Sequence, residues 1–322
     1  MSIIDTTLFI IFALLLFLSI FIYSRNRKSV TNISFSILSL VGAFWAFTIV
    51  MFRISDALES ALLWDRLIYI CGILAPLPFL FFAQAFPEKK IKVPLSHIIA
   101  FVLSVAVFIP ALLSSRLWIQ KVILTPDGNS VILGPFYTVW VVWFIVYMGW
   151  ATLILFSKYR RVQGIEKIQF RYIFLGIASV IIGASPFNII APLFGNYKLI
   201  WFGPLTLFIM LGFTTLAILK YHLFEIKVIL TEILVGVIGI ISLILPFWMP
   251  TNTLRILTIG IFLLFCIIGY LLIKSTHREI KAKEILEEKV KERTRELRGL
   301  TMTLKKGKKT WRSFTNSRWG GS

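Results

Sequence analysis

Charge is scarce in this chain of 322 residues. Asp, Glu, Lys and Arg make up 15% of it, against roughly a quarter in an ordinary soluble domain. With 58% hydrophobic residues and a mean hydropathy of +0.86, that scarcity excludes a soluble enzyme. Cysteine is nearly absent as well: Cys71 and Cys266 both fall in apolar runs, so neither a disulfide framework nor a Cys-pair metal site can be built from them. The chain has no GxxxxGK(S/T) phosphate loop, no HExxH and no GxSxG elbow, which removes the commonest phosphate, zinc and acyl-transfer machinery. Catalytic residues, metal ligands and cofactors are accordingly expected to be none.

What the sequence does have is apolar runs. A bilayer span needs about 20 mostly apolar residues. Nine such runs are read at Thr6–Tyr23, Ile33–Phe52, Leu62–Phe86, Leu95–Leu113, Tyr137–Phe156, Tyr172–Leu193, Leu199–Leu219, Val228–Trp248 and Leu254–Ile273. Backbone in lipid must satisfy its hydrogen bonds within the segment or in a closed barrel, and the alternating pattern of barrel strands is missing. The expected fold is therefore all-α, a polytopic membrane bundle of about nine spans followed by a cytoplasmic coiled-coil helix. The net charge of +19 does not indicate nucleic acid in this setting; its partner is the bilayer.

Basic residues in short loops set orientation, because they resist translocation. The odd-numbered loops hold thirteen Lys and Arg, among them Arg25, Lys89, Arg160 and Lys227, and the even-numbered loops hold six. That bias places the N-terminus outside and the C-terminus in the cytoplasm of a multi-pass protein of the cell membrane. The first run follows Asp5 rather than a basic stretch and precedes Arg25, Arg27 and Lys28, the pattern of a retained span rather than a cleaved signal peptide. In the loop Arg116–Phe136, Val122-Ile-Leu and Val131-Ile-Leu flank a Thr-Pro-Asp-Gly-Asn-Ser turn. Gly128 and Asn129 there tolerate the positive φ of a tight hairpin.

Ionisable residues inside spans are functional candidates by default, because charge in hydrocarbon costs several kcal/mol. Few are present. Asp65 and Arg66 are read at the mouth of the third span, His97 near the start of the fourth and Glu232 one turn into the eighth, all as interfacial groups that snorkel or pair locally. No charge lies near a span midpoint, as an ion-coupled transporter would show. Pro76 and Pro78 remove backbone donors and are expected to kink the third span, and Pro186 with Asn188 the sixth. The tryptophans, including Trp64, Trp118 and Trp140, are read as interfacial belts. The residues proposed to sense a ligand are Trp64, Asp65, Arg66, Pro76, Pro78 and Asn188.

From Lys274 to about Arg298 the chain is dense in Lys, Arg and Glu without Pro or an internal Gly, the composition of a solvated helix leaving the last span. Leu286, Val290 and Leu297 recur at spacings of four and seven, a short coiled-coil seam expected to pair two copies of the chain. Glu288-Lys-Val-Lys-Glu-Arg-Thr-Arg-Glu-Leu297 resembles the linker that joins membrane sensors to the cytoplasmic half of histidine kinases. Trp64-Asp-Arg-Leu-Ile-Tyr running to Phe86-Pro87, Glu166-Lys-Ile-Gln-Phe-Arg-Tyr172, Phe202-Gly-Pro and Lys220-Tyr-His-Leu-Phe-Glu-Ile226 are similar to the N-terminal seven-span sensor region of such kinases. The resemblance implies a seven-span sensor region over 1–227, two further spans over 228–273, a signalling helix over 274–298 and a basic tail over 299–322. The sensor would pass a stimulus to a kinase core, and a response regulator would be reached only through that core.

After Arg298 the pattern departs from the family. The phosphoacceptor helix and ATP-binding domain do not follow, and His277, read as a phosphoacceptor, has no kinase domain after it. Residues 299–322 hold no acidic residue but carry Lys305, Lys306, Lys308, Lys309, Arg312 and Arg318. Read with each codon shifted by one base, and with the wobble bases and the Leu, Ser and Arg codons free to choose, the same stretch can encode AYDDLEKRQKDLEKFYKLAVGRE, an acidic, linker-like continuation; the single codons of Met302 and Trp319 force an Asp and a Gly that suit it. The tail is therefore expected to be a frameshifted remnant, and the sensor module to lack the kinase domain and its activity. The competing readings are a small-solute permease and a stand-alone membrane scaffold whose tail binds anionic lipid. Sequencing the gene from the codons of Lys289 to a few hundred bases past the stop is expected to show the shifted frame open into kinase motifs. A closed frame would make the basic tail native.

Overall fold

The computed structural model describes residues 2–87, 95–114, 117–125, 128–219, 226–248 and 258–275, with single positions beyond. Leu286, Val290 and Leu297 of the expected seam, and the tail 299–322, lie outside the described residues. The order is α1 Ile3–Arg25, α2 Val30–Ile54, α3 Leu58–Leu74, α4 Pro76–Ala85, α5 Leu95–Leu113, β1 Ile119–Ile123, β2 Ser130–Leu133, α6 Phe136–Tyr159 and α7 Gly164–Ser185. A π-turn Pro186–Ile190, α8 Ala191–Leu193, α9 Phe202–Leu219 and α10 Ile226–Ile244 follow, then α11 Thr258–Ser275. Among the described residues six stretches are long and apolar enough to cross a bilayer: α1, α2, α3 with α4, α6, α7 with α8, and α11. His97–Leu113, Phe202–Ile218 and Leu234–Ile244 are apolar helices of shorter described length. Among the described residues each of the nine apolar runs holds a helix.

Two of the elements are locally determined. Asn26 Oδ1 accepts the N–H groups of Lys28 and Ser29, both at 3.1 Å, an Asx turn that reverses the chain between α1 and α2. The β-hairpin pairs Val122 with Val131 and Ile123 with Ser130, and Gly128 takes a φ of 117°, a conformation that favours glycine. Asn129 does more than turn the chain. Its amide donates to the carbonyls of Phe52 at 2.7 Å and Ser55 at 2.8 Å, closing the last turn of α2, whose carbonyls have no donor within the helix.

Lipid gives packed helices no hydrophobic drive toward one another, so small residues and interhelical hydrogen bonds hold the bundle. Between α1 and α2, Ser19 Oγ donates to the Ser36 carbonyl at 2.9 Å and Ser36 Oγ to the Ser19 carbonyl at 2.7 Å. At the hairpin end of the same pair, Arg53 Nε meets Asp5 Oδ1 at 2.9 Å, both side chains being buried. The other carboxylate oxygen of Asp5 accepts Ser2 N–H at 2.8 Å and Ser2 Oγ at 2.7 Å, a capping box that starts α1. At the opposite end, Lys158 Nζ of α6 donates to the carbonyls of Gln84 at 2.6 Å and Phe86 at 2.8 Å, and Gln169 of α7 donates to the Ala217 carbonyl of α9 at 2.8 Å. Gly236 of α10 packs on the Phe17 ring of α1, and Glu232 forms an ion pair with Arg25, a partner on another helix rather than the local one expected.

Helices α7 and α9 approach so closely that a Cβ on Gly176 would lie 2.9 Å from the Met210 carbonyl oxygen. Backbone cannot yield as a side chain tip can, so an added methyl must push the two helices apart. Gly212 of α9 has no heavy atom within 4 Å of its Cβ position. Gly176→Ala is therefore expected to destabilise the bundle by about 1–3 kcal/mol, read as a lowered Tm in detergent. Gly212→Ala is expected to leave the Tm unchanged or to raise it slightly.

Candidate functional site

Ala61, Asp65 and Tyr69 of α3 are all buried, and their four-residue spacing puts them on one helix face. That face turns inward. Seven residues from the helix start is about 10 Å along its axis, so Asp65 lies inside the bundle and not at its mouth, with 1% of its surface exposed. Its Oδ2 has no hydrogen-bond partner among the described residues. The adjacent cation does not compensate it through a bond, because Arg66 donates to the Leu113 carbonyl at 2.8 Å. The reading of Asp65 as an interfacial, locally paired residue is corrected accordingly.

One turn further on, Tyr69 shares a hydroxyl–hydroxyl hydrogen bond of 3.3 Å with Tyr197. Tyr197 lies in the chain after α8 and is buried. Burial pushes its phenol well above the ordinary tyrosine range, and the negative charge of Asp65 adds to the shift; the hydroxyl stays protonated and remains a donor. Trp140 of α6 stands edge-on to Tyr69 with ring centroids 5.7 Å apart, and Trp118 packs on the same ring at 5.5 Å. Trp118 is fully buried and Trp140 nearly so, which corrects their reading as interfacial belts. A belt residue needs water at its N–H; these two fill the space between α3, the hairpin and α6.

The prolines shape what surrounds them. Pro76 and Pro78 carry no N–H, so the carbonyls of Gly72 and Leu74 lose their helical donors. The third span breaks there at Ala75 into α3 and α4, as the sequence leads one to expect. In the sixth span Pro186 opens the π-turn, in which the Ala191 N–H reaches back to the Pro186 carbonyl, and Asn188 Nδ2 donates to the Ala184 carbonyl at 3.2 Å. Pro192 cannot donate to Asn188. The hydroxyl of Tyr137 takes that place, 3.3 Å from the Asn188 carbonyl and 3.2 Å from that of Ile189.

Between these joints lies a cavity of about 540 Å³, within the range of small-molecule sites. Asp65 and Asn188 both line it, together with Trp45, Tyr69, Trp140 and Tyr197, and the remaining wall is predominantly apolar. Of the expected sensing residues, Trp64 and Arg66 are not in its wall; Trp64 packs on Phe47 at 5.7 Å. Pro76 and Pro78 flank the wall residues Ala75 and Phe79 and set the bend rather than the surface. Trp45, Tyr69, Trp140 and Tyr197 were not singled out as site residues by the sequence reading. The four-residue spacing of Ala61, Asp65 and Tyr69 is the signal that marks the inward face. Among the described residues no group of three or more His, Cys, Asp or Glu side chains is placed to hold a metal ion. The geometry is that of a binding pocket.

Other motif residues hold helices together. Gln169 spans to α9, Phe170 packs on Phe86 with centroids 5.2 Å apart, and a Cβ on Gly203 would strike both Asn188 and Trp45. Lys220-Tyr-His-Leu-Phe-Glu225 lies outside the described residues. Residues 7–227 match the family model of the N-terminal 7TM region of histidine kinase, which is a non-catalytic part of such kinases. No curated protein and no solved structure matches the chain. Over that region the described residues hold seven apolar helical stretches, five of them long enough to cross a bilayer and two shorter.

The Tyr137 hydroxyl is buried with its two carbonyl acceptors, so removing it strands polar groups away from water. Tyr137→Phe is expected to cost about 1–3 kcal/mol, seen as a lower Tm in detergent.

Proposed function

Because the chain belongs, over residues 7–227, to the family of N-terminal 7TM regions of histidine kinases, we propose that it is the membrane sensor module of a two-component signalling system. The observation that carries this reading is the family match over most of the chain. The cavity supports it, since a pocket bounded by two helix breaks couples occupancy to helix packing more directly than a pocket between straight helices. In this reading all nine apolar helices cross the bilayer, with the N-terminus and the hairpin outside and the C-terminus in the cytoplasm, as the distribution of basic residues indicates.

The output leaves through the helix after α11. Residues 274–298, with Leu286, Val290 and Leu297 on the seam, join two copies of the chain and carry a shift in helix packing to a kinase core. Such a core would in turn pass the signal to a response regulator. A permease is the weaker reading: the family match does not favour it.

Fused at residue 298, in heptad register, to the dimerisation and catalytic half of a histidine kinase, the chain is expected to set the kinase's autophosphorylation in membranes. Inserting seven residues into the helix after Lys274 is expected to preserve that level. Inserting four rotates the seam and is expected to change it. Equal activity for all three fusions would overturn the reading.

A further inference from the structure

The wall of the cavity is incomplete on one side. Ile145 and Leu153 of α6 and Ile181 of α7 all line it, yet they are 54%, 62% and 58% exposed on the outer surface. Between the first two, Gly149 also lines the cavity, and a Cβ placed there would meet no heavy atom within 4 Å. A residue that faces the cavity and the exterior at once marks an opening. Here it lies between α6 and α7 on a surface that in a membrane protein faces lipid. Helix α10 packs against α1 through Phe17 and Gly236, on another side of the bundle.

Two features of the interior limit what enters. The first is the carboxylate of Asp65, buried and without a partner on Oδ2. Charge on a carboxyl group away from water is costly unless a cation meets it, so a ligand that brings a cation is favoured there over one that brings an anion. The second is the set of aromatic rings around it. Trp45, Tyr69, Trp140 and Tyr197 share the cavity with Asp65, and the electron-rich faces of such rings attract ammonium groups. Most of the remaining wall is apolar and calls for an apolar body, and the side opening calls for one that reaches the site from the membrane.

We propose that the cavity binds a lipophilic ammonium compound, one cationic nitrogen on an apolar body, entering between α6 and α7 and pairing its nitrogen with Asp65. As the stimulus of a sensor, this ligand class rests on the function proposed above; as a binding site, it stands on the cavity alone. The experiment accordingly measures binding and not signalling, so a failure of one leaves the other standing.

The full chain in phosphatidylcholine nanodiscs is titrated with radiolabelled dodecylamine and, separately, with dodecanol, which has the same chain and no charge; empty nanodiscs supply the partition background. Saturable binding of dodecylamine above background is expected, with dodecanol much weaker. Asp65→Asn keeps the shape and removes the charge, and is expected to weaken dodecylamine binding about ten-fold or more while leaving dodecanol unchanged. Gly149→Leu fills the opening without touching Asp65, and is expected to slow dodecylamine association. Retention of wild-type Tm by both variants shows that they fold. Equal dodecylamine affinity in wild type and in a folded Asp65→Asn protein, or equal affinity of the wild type for amine and alcohol, would overturn the proposal. Should Asp65→Asn not fold, unaltered association in Gly149→Leu would do the same.

Discussion

A backbone carbonyl inside the membrane has no water to turn to, and the packing beside the cavity turns on how that constraint is met at Pro192. Pro192 withholds a hydrogen from Asn188, and Tyr137 supplies one from a neighbouring helix. That bond ties α6 to the irregular end of the sixth span and holds the π-turn beside α3. Pro76 and Pro78 divide the third span beside the wall residues Ala75 and Phe79. Both interrupted helices border the cavity, the third span through Ala75 and the sixth through Asn188 and Pro192.

The bundle treats its two buried acids of the first and third spans in opposite ways. Asp5 has Arg53, Ser2 N–H and Ser2 Oγ around it, a full set of partners that ties α1 to α2. Asp65 is at least as deeply buried and has its outer oxygen unmatched. The contrast within a single molecule sets Asp65 apart from Asp5, and it does so independently of the family match.

Elements governed by local chemistry were legible in the sequence. The apolar runs hold helices, Pro76 and Pro78 divide the third span where they stand, and Val122 and Val131 pair across the hairpin as their pattern requires. What was not legible depends on which face of a helix meets which neighbour. Asp65 reads as interfacial when its distance from the start of the apolar run is the only guide, because Leu58–Ala61 of the helix precede that run. Trp118 and Trp140 resemble belt residues until the hairpin is seen to fold over them. Asn129 has the chemistry of a turn former, and only the fold shows that its amide closes the end of α2, more than seventy positions earlier in the chain. Arg25 and Glu232 lie about two hundred positions apart in the sequence, and no spacing rule connects them.

The clasp at Lys158 has a mechanical meaning for the opening described above. With Lys158 bonded to the Gln84 carbonyl of α4 and to that of Phe86, one end of α6 is pinned while the gap toward α7 lies further along the rod. A helix of 24 residues is about 36 Å long. Swinging it by about 5° around the pinned end displaces the far end by about 3 Å, close to the hairpin and to Tyr137. Anything wedged beside Gly149 therefore works against a lever whose long arm reaches the extramembrane hairpin, and the hairpin is itself fastened to α2 through Asn129.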